Sequence, residues 1–182
     1  MGTFQELCMA RRSIRQYTSQ PVEQEKIDYI LRCALMSPSS KRTNPWEFYV
    51  VGESVNRGIG ESVKGESVIR QLAGAKTYGS QMFDTAMAAI VVAVDSSLTD
   101  TWQCDGAIAA QNMLLAAEEQ GLGACWCQIY GRDDSEAMVK ELCHIPENLN
   151  VLCVISLGYK NEERKNYDLD KLLYDKIHRF TD

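Results

Sequence analysis

The residues best suited to bind a ligand are three arginines and a serine within one pentapeptide near the N-terminus. Arg11, Arg12, Ser13 and Arg15 occur in a chain whose formal net charge is -6. A guanidinium offers paired N–H donors that match phosphate oxygens, so this local excess of positive charge suggests an anionic ligand. The same residues also fit a solvated cationic face at the end of a short helix over residues 3–10, and the cluster alone does not decide between the two.

The loop over residues 36–48 is a second candidate, because it combines hydroxyl groups, turn formers and an aromatic anchor. Pro38 and Pro45 stop a helix or a strand from continuing through the loop, and Ser39 and Ser40 lie between them. This composition fits a ligand-binding loop. It fits an ordinary connector with a capping serine and a buried tryptophan equally well.

Apolar spacing predicts the elements that position these two segments. The pattern predicts helices over residues 23–36, over 105–120 with Gly121 as its stop, and from a capping box of Asp133 and Glu136 to near Cys143, and buried strands over residues 48–51, 87–94 and 150–157. Residues 52–76 are rich in glycine and polar residues, and we expect surface helix and loop of low stability there. Helices that wrap a sheet make the expected fold class α+β.

Composition is typical of a compact enzyme. At 182 residues and 45% hydrophobic content the chain can bury one good core, so residues 1–182 are expected to form a single domain. No apolar run is long enough to span a bilayer, and residues 1–12 lack the apolar centre of a signal peptide. A pI near 5.0 argues against a nucleic-acid surface. Seven cysteines without framework spacing indicate reduced thiols in a cytoplasmic setting.

Metal and hydrolytic chemistry find little support in the residue pattern. The histidines are His144 and His178, and Cys125 and Cys127 lack the two-residue spacer of a zinc knuckle, so no metal site is predicted. These cysteines would share one face of a strand, which favours core packing over a reactive thiol. No Gly-x-Ser-x-Gly elbow occurs, although a Cys–His pair stays open. The Gly-Leu-Gly at residues 121–123 lacks the third glycine of a dinucleotide fingerprint.

The order of the motifs resembles the FMN-dependent nitroreductase family. An Arg-Arg-Ser-x-Arg segment is followed by a Pro-Ser-Ser loop that ends in Pro-Trp, by a Gly-Leu-Gly stretch at residues 121–123 and by the turn Gly158-Tyr159. Lys171 is similar in position to the family's distal basic phosphate ligand. The match covers essentially the whole chain. It implies a nitroreductase-like α+β fold, with helices around a mostly antiparallel or mixed sheet, and an intertwined homodimer that binds FMN.

The resemblance implies roles for the basic residues. Arg11, Ser13 and Arg15 would hold the phosphate, ribityl and pyrimidine end of FMN. Arg12 would add backbone or side-chain contacts, and Lys171 would close on the phosphate. By the same resemblance the phosphate end of the cofactor is held by residues from both ends of the chain.

The flavin ring is expected to contact residues from two further segments. Pro38, Ser39 and Ser40 would come from the other subunit and lie along the isoalloxazine. Gln128 and Ile129 fall where the family places a backbone donor near flavin N5, which would stabilise charge on the reduced ring. Gln128 also fits a polar residue at the end of a strand.

Two loop positions depart from the family pattern. The family usually carries Asn and Gln two and four residues after the second serine, and here those positions are Arg42 and Asn44. The amide contact to the flavin pyrimidine is therefore open at Arg42, whereas Asn44 keeps the donor and the acceptor at one methylene less reach. A cation at Arg42 would attract acceptors with a carboxylate or sulfonate, unless it points to solvent or pairs with Glu47.

The resemblance implies an enzyme whose flavin carries the chemistry, so no protein residue is assigned a catalytic role. We expect an NAD(P)H-dependent reductase of nitroaromatic, quinone or related small planar acceptors. Ping-pong kinetics follow, because in the family NADH or NADPH and the acceptor use the same pocket in turn. The alternatives are other flavin chemistry on the same fold, such as ring oxidation, dehalogenation or flavin breakdown, and an FMN-binding protein without turnover.

Overall fold

A four-stranded antiparallel sheet forms the centre of the computed structural model, which describes residues 3–52 and 67–180. The strands are β1 (Trp46–Gly52), β2 (Ala88–Val94), β3 (Gly123–Gln128) and β4 (Asn150–Gly158). Their spatial order is β1-β2-β4-β3, so β1 and β3 are the edges of this sheet in the described part of the chain. All neighbouring strands are antiparallel and helices cover the sheet, which confirms the α+β fold.

The described helices are α1 (Phe4–Ala10), α2 (Gln24–Leu35), α3 (Val68–Gln71), α4 (Trp102–Glu119) and α5 (Asp133–Cys143). The predicted helix over residues 23–36 is confirmed as α2. The predicted core helix is confirmed as α4, although it begins earlier than expected. Gly121 has a φ of 74°, a conformation that favours glycine and ends this helix as expected. None of the helices in the described ranges is long and apolar enough to cross a membrane.

Strand β2 lies in the middle of the core, because β1 and β4 pair with its two edges. All seven of its residues are buried, as the apolar run predicted. Its side chains alternate between two apolar clusters, with Ile90 facing α2 and α4 and Val91 facing α3 and α5. Helix α4 comes close to the sheet at Gly106, where a Cβ would lie 2.7 Å from a Leu152 methyl group. Both faces of the sheet are therefore covered.

One sequence expectation is wrong, and another can be checked only in part. Helix α5 has no capping box, since Arg132 is its N-cap without a side-chain hydrogen bond. The Glu136 carboxylate instead accepts a hydrogen bond from the Val151 N–H of β4 at 2.9 Å, a tertiary contact that takes the place of the local one. The segment before Lys76 contains the helix α3, as expected, and this helix packs against the core through Ile69, close to the buried Leu72. The rest of that expectation, over residues 53–66, lies outside the described residues.

Candidate functional site

The arginine segment, residues 11–15, runs along the open edge of β3. Ser13 forms a parallel bridge to Ala124, and the Ile14 N–H donates to the Ala124 carbonyl at 3.0 Å. Just beyond the segment, Tyr17 pairs with Lys160, which follows β4. The backbone of the arginine segment is therefore fixed at the β3 edge of the sheet.

Two glycines let this segment approach the sheet. A Cβ at Gly123 would lie 2.7 Å from Cγ2 of Ile14, and a Cβ at Gly158 would lie 2.9 Å from the Tyr17 side chain. Real Cβ contacts of that length essentially do not occur, so any larger residue would push the segment away. Gly123 of the Gly-Leu-Gly motif and Gly158 of the Gly-Tyr motif are therefore needed for the close packing of the arginine segment.

A buried tyrosine completes this anchor. Tyr17 is 3% exposed, and its hydroxyl donates to the Ile14 carbonyl and lies 2.7 Å from Oγ of Ser156. Burial raises the pKa of Tyr17, so the hydroxyl remains a donor. The carbonyl that it holds belongs to the residue between Ser13 and Arg15, which fixes the backbone of the predicted phosphate ligands.

The three arginines have different surroundings. The Arg12 guanidinium donates to the Lys165 carbonyl and lies 4.4 Å from the ring centroid of Tyr167, so it ties the C-terminal segment to the arginine segment. The guanidiniums of Arg11 and Arg15 have no hydrogen-bond or ion-pair partner within residues 3–52 and 67–180. These two guanidiniums are therefore available to an anion.

Glu162 holds the other side of the segment. Its carboxylate accepts from the Arg15 N–H and from the Gln16 N–H, and it lies 2.6 Å from the Arg164 guanidinium. Burial opposes ionisation of Glu162, but the Arg15 N–H and the Arg164 guanidinium keep its pKa below the ordinary value. The carboxylate therefore stays ionised at neutral pH and fixes the Arg15 backbone.

Lys171 lies in the C-terminal segment that Arg12 holds. The Tyr167 N–H donates to the Met9 carbonyl at 2.9 Å, which brings this segment to the end of α1, directly before Arg11. The Lys171 ammonium is 81% exposed and lies 3.2 Å from the Asp168 carboxylate. The structure thus brings the Lys171 segment to the arginine segment, with the Lys171 ammonium paired to Asp168.

The serine loop, residues 38–44, has an unusual backbone. Lys41, Arg42 and Asn44 have φ values of 52°, 58° and 46°. This left-handed region is uncommon for residues other than glycine, although asparagine enters it more readily. Ser39 Oγ donates to Asn44 Oδ1 and accepts from the Asn44 N–H, both at 2.9 Å. These bonds close the loop on itself and hold Ser39 and Asn44, two of the predicted site residues, next to each other.

A buried carboxylate anchors the serine loop to α4. Asp105 is 4% exposed in the first turn of this helix, and its Oδ1 accepts from the Ser40 N–H at 3.0 Å. Its Oδ2 is buried and has no hydrogen-bond partner in the described part of the chain. Further along the helix, Asn112 Nδ2 donates to Ser37 Oγ at 2.8 Å. Sequence reasoning missed both anchors, although a charged residue in a largely apolar helix was a signal.

Gln128 and Ile129 lie at the end of β3. The Ile129 N–H donates to the Leu152 carbonyl at 3.2 Å, so it is already used inside the sheet. Because N–H groups alternate in direction along a strand, the Gln128 N–H points to the open edge of β3. The Gln128 side chain accepts from Trp126 Nε1 at 2.9 Å and donates to the Tyr130 carbonyl at 3.1 Å. Of the two predicted donors, the Gln128 N–H is therefore the accessible one.

The cysteines of β3 fit their predicted role in the core. Cys125 and Cys127 are buried on the same face of the strand. Burial raises the pKa of Cys125 despite nearby Arg15 and the Ser13 hydroxyl, and it raises the pKa of Cys127 to about 11. Both are therefore protonated at neutral pH, which confirms packing as their role.

The arginine segment and the serine loop lie at opposite corners of the sheet. The loop precedes β1 at the end where Trp46 pairs with Val94, whereas the arginine segment contacts β3 at the other end, where Gly123 pairs with Gly158. With strands about 4.8 Å apart and a rise of about 3.3 Å per residue, these corners are roughly 25–30 Å apart. Two surface clefts lie against α5 instead and contain none of the predicted site residues. We call the arginine segment and the serine loop the two candidate half-sites of one chain.

Comparison with known proteins gives a family match and related proteins that agree with one another. Residues 8–159 match the Nitroreductase family. The chain is 37% identical over 174 residues to an Archaeoglobus fulgidus protein whose name joins NADH dehydrogenase and NAD(P)H nitroreductase, with 93% of this chain and 92% of that protein covered. An NADPH-flavin oxidoreductase of Vibrio harveyi is 30% identical over 177 residues, which cover 89% of this chain and 68% of that protein.

A solved structure shows the same fold. The FMN-dependent nitroreductase from Clostridium difficile R20291 is 35% identical and superposes with a TM-score of 0.87, covering 98% of this chain and 99% of the other. The family match, the relatives and the shared fold agree with the order of motifs along the sequence. The chain belongs to the nitroreductase family and is an oxidoreductase.

Proposed function

We propose that the protein is an FMN-dependent reductase that passes electrons from NADH or NADPH to nitroaromatic, quinone or related small planar acceptors. The proposed working unit is a homodimer of single-domain chains over residues 1–182. The observation that carries this proposal is the placement of the two half-sites at opposite corners of one sheet. A flavin that contacts both half-sites takes one from each of two chains.

The arginine segment fits the phosphate end of FMN. A phosphate monoester carries about two negative charges and three acceptor oxygens at neutral pH. Arg11 and Arg15 offer guanidiniums without partners in the described chain, and Ser13 stands between them in the sequence, at the bridge to Ala124. Lys171 would add a second source of positive charge once it turns away from Asp168. Arg12 would act mainly by holding the C-terminal segment in place.

The serine loop fits the ring end of the cofactor. Pro38, Ser39 and Ser40 from the second chain would lie against the isoalloxazine, and the Gln128 N–H of the first chain would face its N5. Bound FMN would supply the redox chemistry, taking a hydride from the reduced nicotinamide and passing electrons to the acceptor. The protein residues would position the ring and leave one face open for the two substrates in turn. Ping-pong kinetics are the expected result.

Exposed apolar side chains support the dimer. The C-terminal segment shows Leu173 at 70%, Tyr174 at 56% and Phe180 at 97% exposure, and the end of α2 shows Leu35 at 62% and Met36 at 74%. These large apolar side chains are exposed in the single chain, so we infer that a second copy covers them. Obligate interfaces of this kind bury on the order of 2,000 Å² or more.

Anaerobic reduction tests the proposed function. Protein reconstituted with FMN should bleach rapidly when NADH or NADPH is added, and a nitroaromatic or quinone should restore the yellow colour. Parallel lines in double-reciprocal plots against both substrates would support ping-pong kinetics. A flavin that stays oxidised would instead indicate a different flavin reaction or an FMN-binding protein without turnover. Failure to take up FMN at all would overturn the proposal, and FMN uptake by a protein that sediments as a monomer would overturn its dimer.

A further inference from the structure

Two free cations stand side by side on the serine loop. Lys41 and Arg42 are both exposed, and neither side chain has a hydrogen-bond or ion-pair partner in the described part of the chain. The carboxylate of Glu47, a candidate partner from the sequence, accepts from the Tyr49 hydroxyl at 2.9 Å. The chain as a whole carries a net charge of -6, so this adjacent pair is a local exception.

The backbone under these cations is fixed. Both residues have positive φ, which is unfavourable for long side chains and persists only where neighbouring contacts hold it. Those contacts are present on each side, since Asp105 accepts from the Ser40 N–H at 3.0 Å and the Thr43 hydroxyl donates to the Ser40 carbonyl at 2.9 Å. The loop therefore presents its two charges from a defined position.

We propose that Lys41 and Arg42 make the enzyme prefer acceptors that carry a carboxylate or a sulfonate beside the reducible group. The proposal rests on the proposed function, because these cations reach an acceptor only if the serine loop lies over the flavin of the second chain. Nitrobenzoates and sulfonated quinones are substrates of this class. Neutral nitrobenzene lacks the charge that the two cations attract.

The size of the preference follows from Coulomb's law. Opposite charges at roughly 8 Å in an effective dielectric near 20 attract by about 2 kcal/mol, which is close to a 30-fold difference in affinity before screening. Counterions reduce this at physiological salt, where the screening length is also about 8 Å. We therefore expect a preference of about ten-fold per cation at low salt and a smaller one at high salt.

Asparagine is the substitution of choice at both positions. Asn enters the left-handed region more readily than Lys or Arg, so R42N and K41N remove one charge each while the loop keeps its conformation. Arg132 supplies the matched control. It is an exposed cation in the cleft at the start of α5, whose lining contains no residue of the serine loop, and R132N changes the net charge by the same amount.

The measurement is kcat/KM of the FMN-loaded enzyme for 4-nitrobenzoate and for nitrobenzene, at low and at high salt. The ratio of the two values removes any shared effect of a variant on flavin binding. We expect R42N to lower this ratio about ten-fold at low salt, K41N to lower it in the same direction, and R132N to leave it unchanged. The difference between wild type and R42N should shrink as salt is added.

The outcomes separate this inference from the proposed function. An unchanged ratio in both loop variants, or an equal fall in R132N, overturns the role of Lys41 and Arg42, while turnover of nitrobenzene keeps the reductase assignment. If neither nitro compound is reduced, the proposed function fails for this class of acceptor. Binding of benzoate to the FMN-loaded protein, followed by the flavin spectrum, then still decides the inference. Equal benzoate affinity in wild type and R42N would overturn it.

Discussion

The arginine segment and the serine loop are held by different kinds of interaction. The arginine segment packs directly on the sheet, where Gly123 and Gly158 remove the side chains that would block it and the Tyr17 hydroxyl fixes its backbone. The serine loop is not packed on the sheet in this way. Its left-handed residues are kept in place by its own hydrogen bonds and by the Asp105 carboxylate, and the Asn112 amide holds Ser37 directly before the loop.

This difference divides the proposed site into a packed half and a tethered half. The packed half would hold a phosphate, whose position has to be constant from one turnover to the next. The tethered half would meet the ring and the acceptor, and its residues Lys41 and Arg42 have positive φ and exposed side chains. Substitutions in the packed half should therefore cost stability and cofactor together, whereas those in the tethered half should cost activity alone.

The largest effect is expected for Gly123→Ala. The new Cβ would lie 2.7 Å from Ile14, a β-branched residue that is 2% exposed and has little room to move. Overpacking of this kind costs about 1–3 kcal/mol in the free energy of unfolding, and FMN binding should fall as the arginine segment shifts. Chemical unfolding and flavin titration measure the two losses.

Gly74→Ala is the matched control for that variant. Its Cβ would meet only the flexible Met138 methyl group at 3.4 Å, so we expect almost no change in stability or FMN affinity. Equal stability of the two variants would show that the close contact at Gly123 relaxes easily. The arginine segment would then not be part of a packed half.

A second prediction asks whether the packed half binds the phosphate. Arg11→Ala should weaken FMN binding by about 1.5–3 kcal/mol, because a charge-assisted hydrogen bond to the phosphate is lost, and Lys171→Ala should act in the same direction. Riboflavin, which lacks the phosphate, should lose much less affinity. Titration of both ligands by flavin fluorescence gives the comparison, with Arg132→Ala as a control for net charge. Similar losses for FMN and riboflavin would mean that Arg11 acts through packing.

A third prediction concerns the tether of the other half. Asp105→Ala removes the acceptor for the Ser40 N–H, but it also removes a buried oxygen without a partner. These two effects have similar size and opposite sign, so the free energy of unfolding should change by no more than about 1 kcal/mol. Turnover should fall clearly, because the serine loop that would lie against the isoalloxazine loses its tether to α4.

Asp105→Asn sharpens that test. The amide oxygen can still accept from Ser40, so this variant should keep most of the turnover that the alanine variant loses. Thermal unfolding and kcat/KM for a neutral acceptor are measured together for the three proteins. A stability loss in Asp105→Ala as large as its activity loss would place Asp105 in the packed core instead of in a tether.

The sequence predicted the elements well, because hydrophobic spacing is a local property. The apolar run of β2 and the helical period of α2 follow directly from the requirement to bury one set of side chains. The arginine segment could be predicted equally well as a candidate site, since its residue types stand next to each other. The two prolines predicted that the serine loop is a loop, but no residue pattern predicted its left-handed backbone.

Partners from distant parts of the chain could not be predicted in the same way. Ser40 and Asp105 are 65 residues apart, and no periodicity links a loop N–H to a carboxylate on a later helix. Glu136 shows the opposite error, because a local capping pattern lost to a tertiary bond with Val151. The placement of the two half-sites at opposite corners depends on the strand order, which no single segment encodes.

The smallest expected effect concerns Glu162, whose carboxylate accepts from the Arg15 and Gln16 N–H groups. In E162Q the amide oxygen can still accept from the Arg15 N–H, but the ion pair with Arg164 at 2.6 Å is lost. The Arg164 side chain is 45% exposed, so solvent screens this pair. We therefore expect a loss below about 1 kcal/mol in the free energy of unfolding at neutral pH.

The pH dependence shows whether charge is the reason for that loss. Burial opposes the ionisation of Glu162, yet the Arg15 N–H and Arg164 keep its pKa below the ordinary value in the folded protein. The folded state then binds fewer protons at this group than the unfolded chain does. Its stabilising contribution is present above the pKa of an unfolded carboxyl, about 4.3, and is lost as the pH falls through the lower folded pKa. Urea unfolding of wild type and E162Q should therefore give curves that converge on acidification, whereas a difference that is the same at every pH would mean that Glu162 holds the arginine segment by its shape and hydrogen bonds alone.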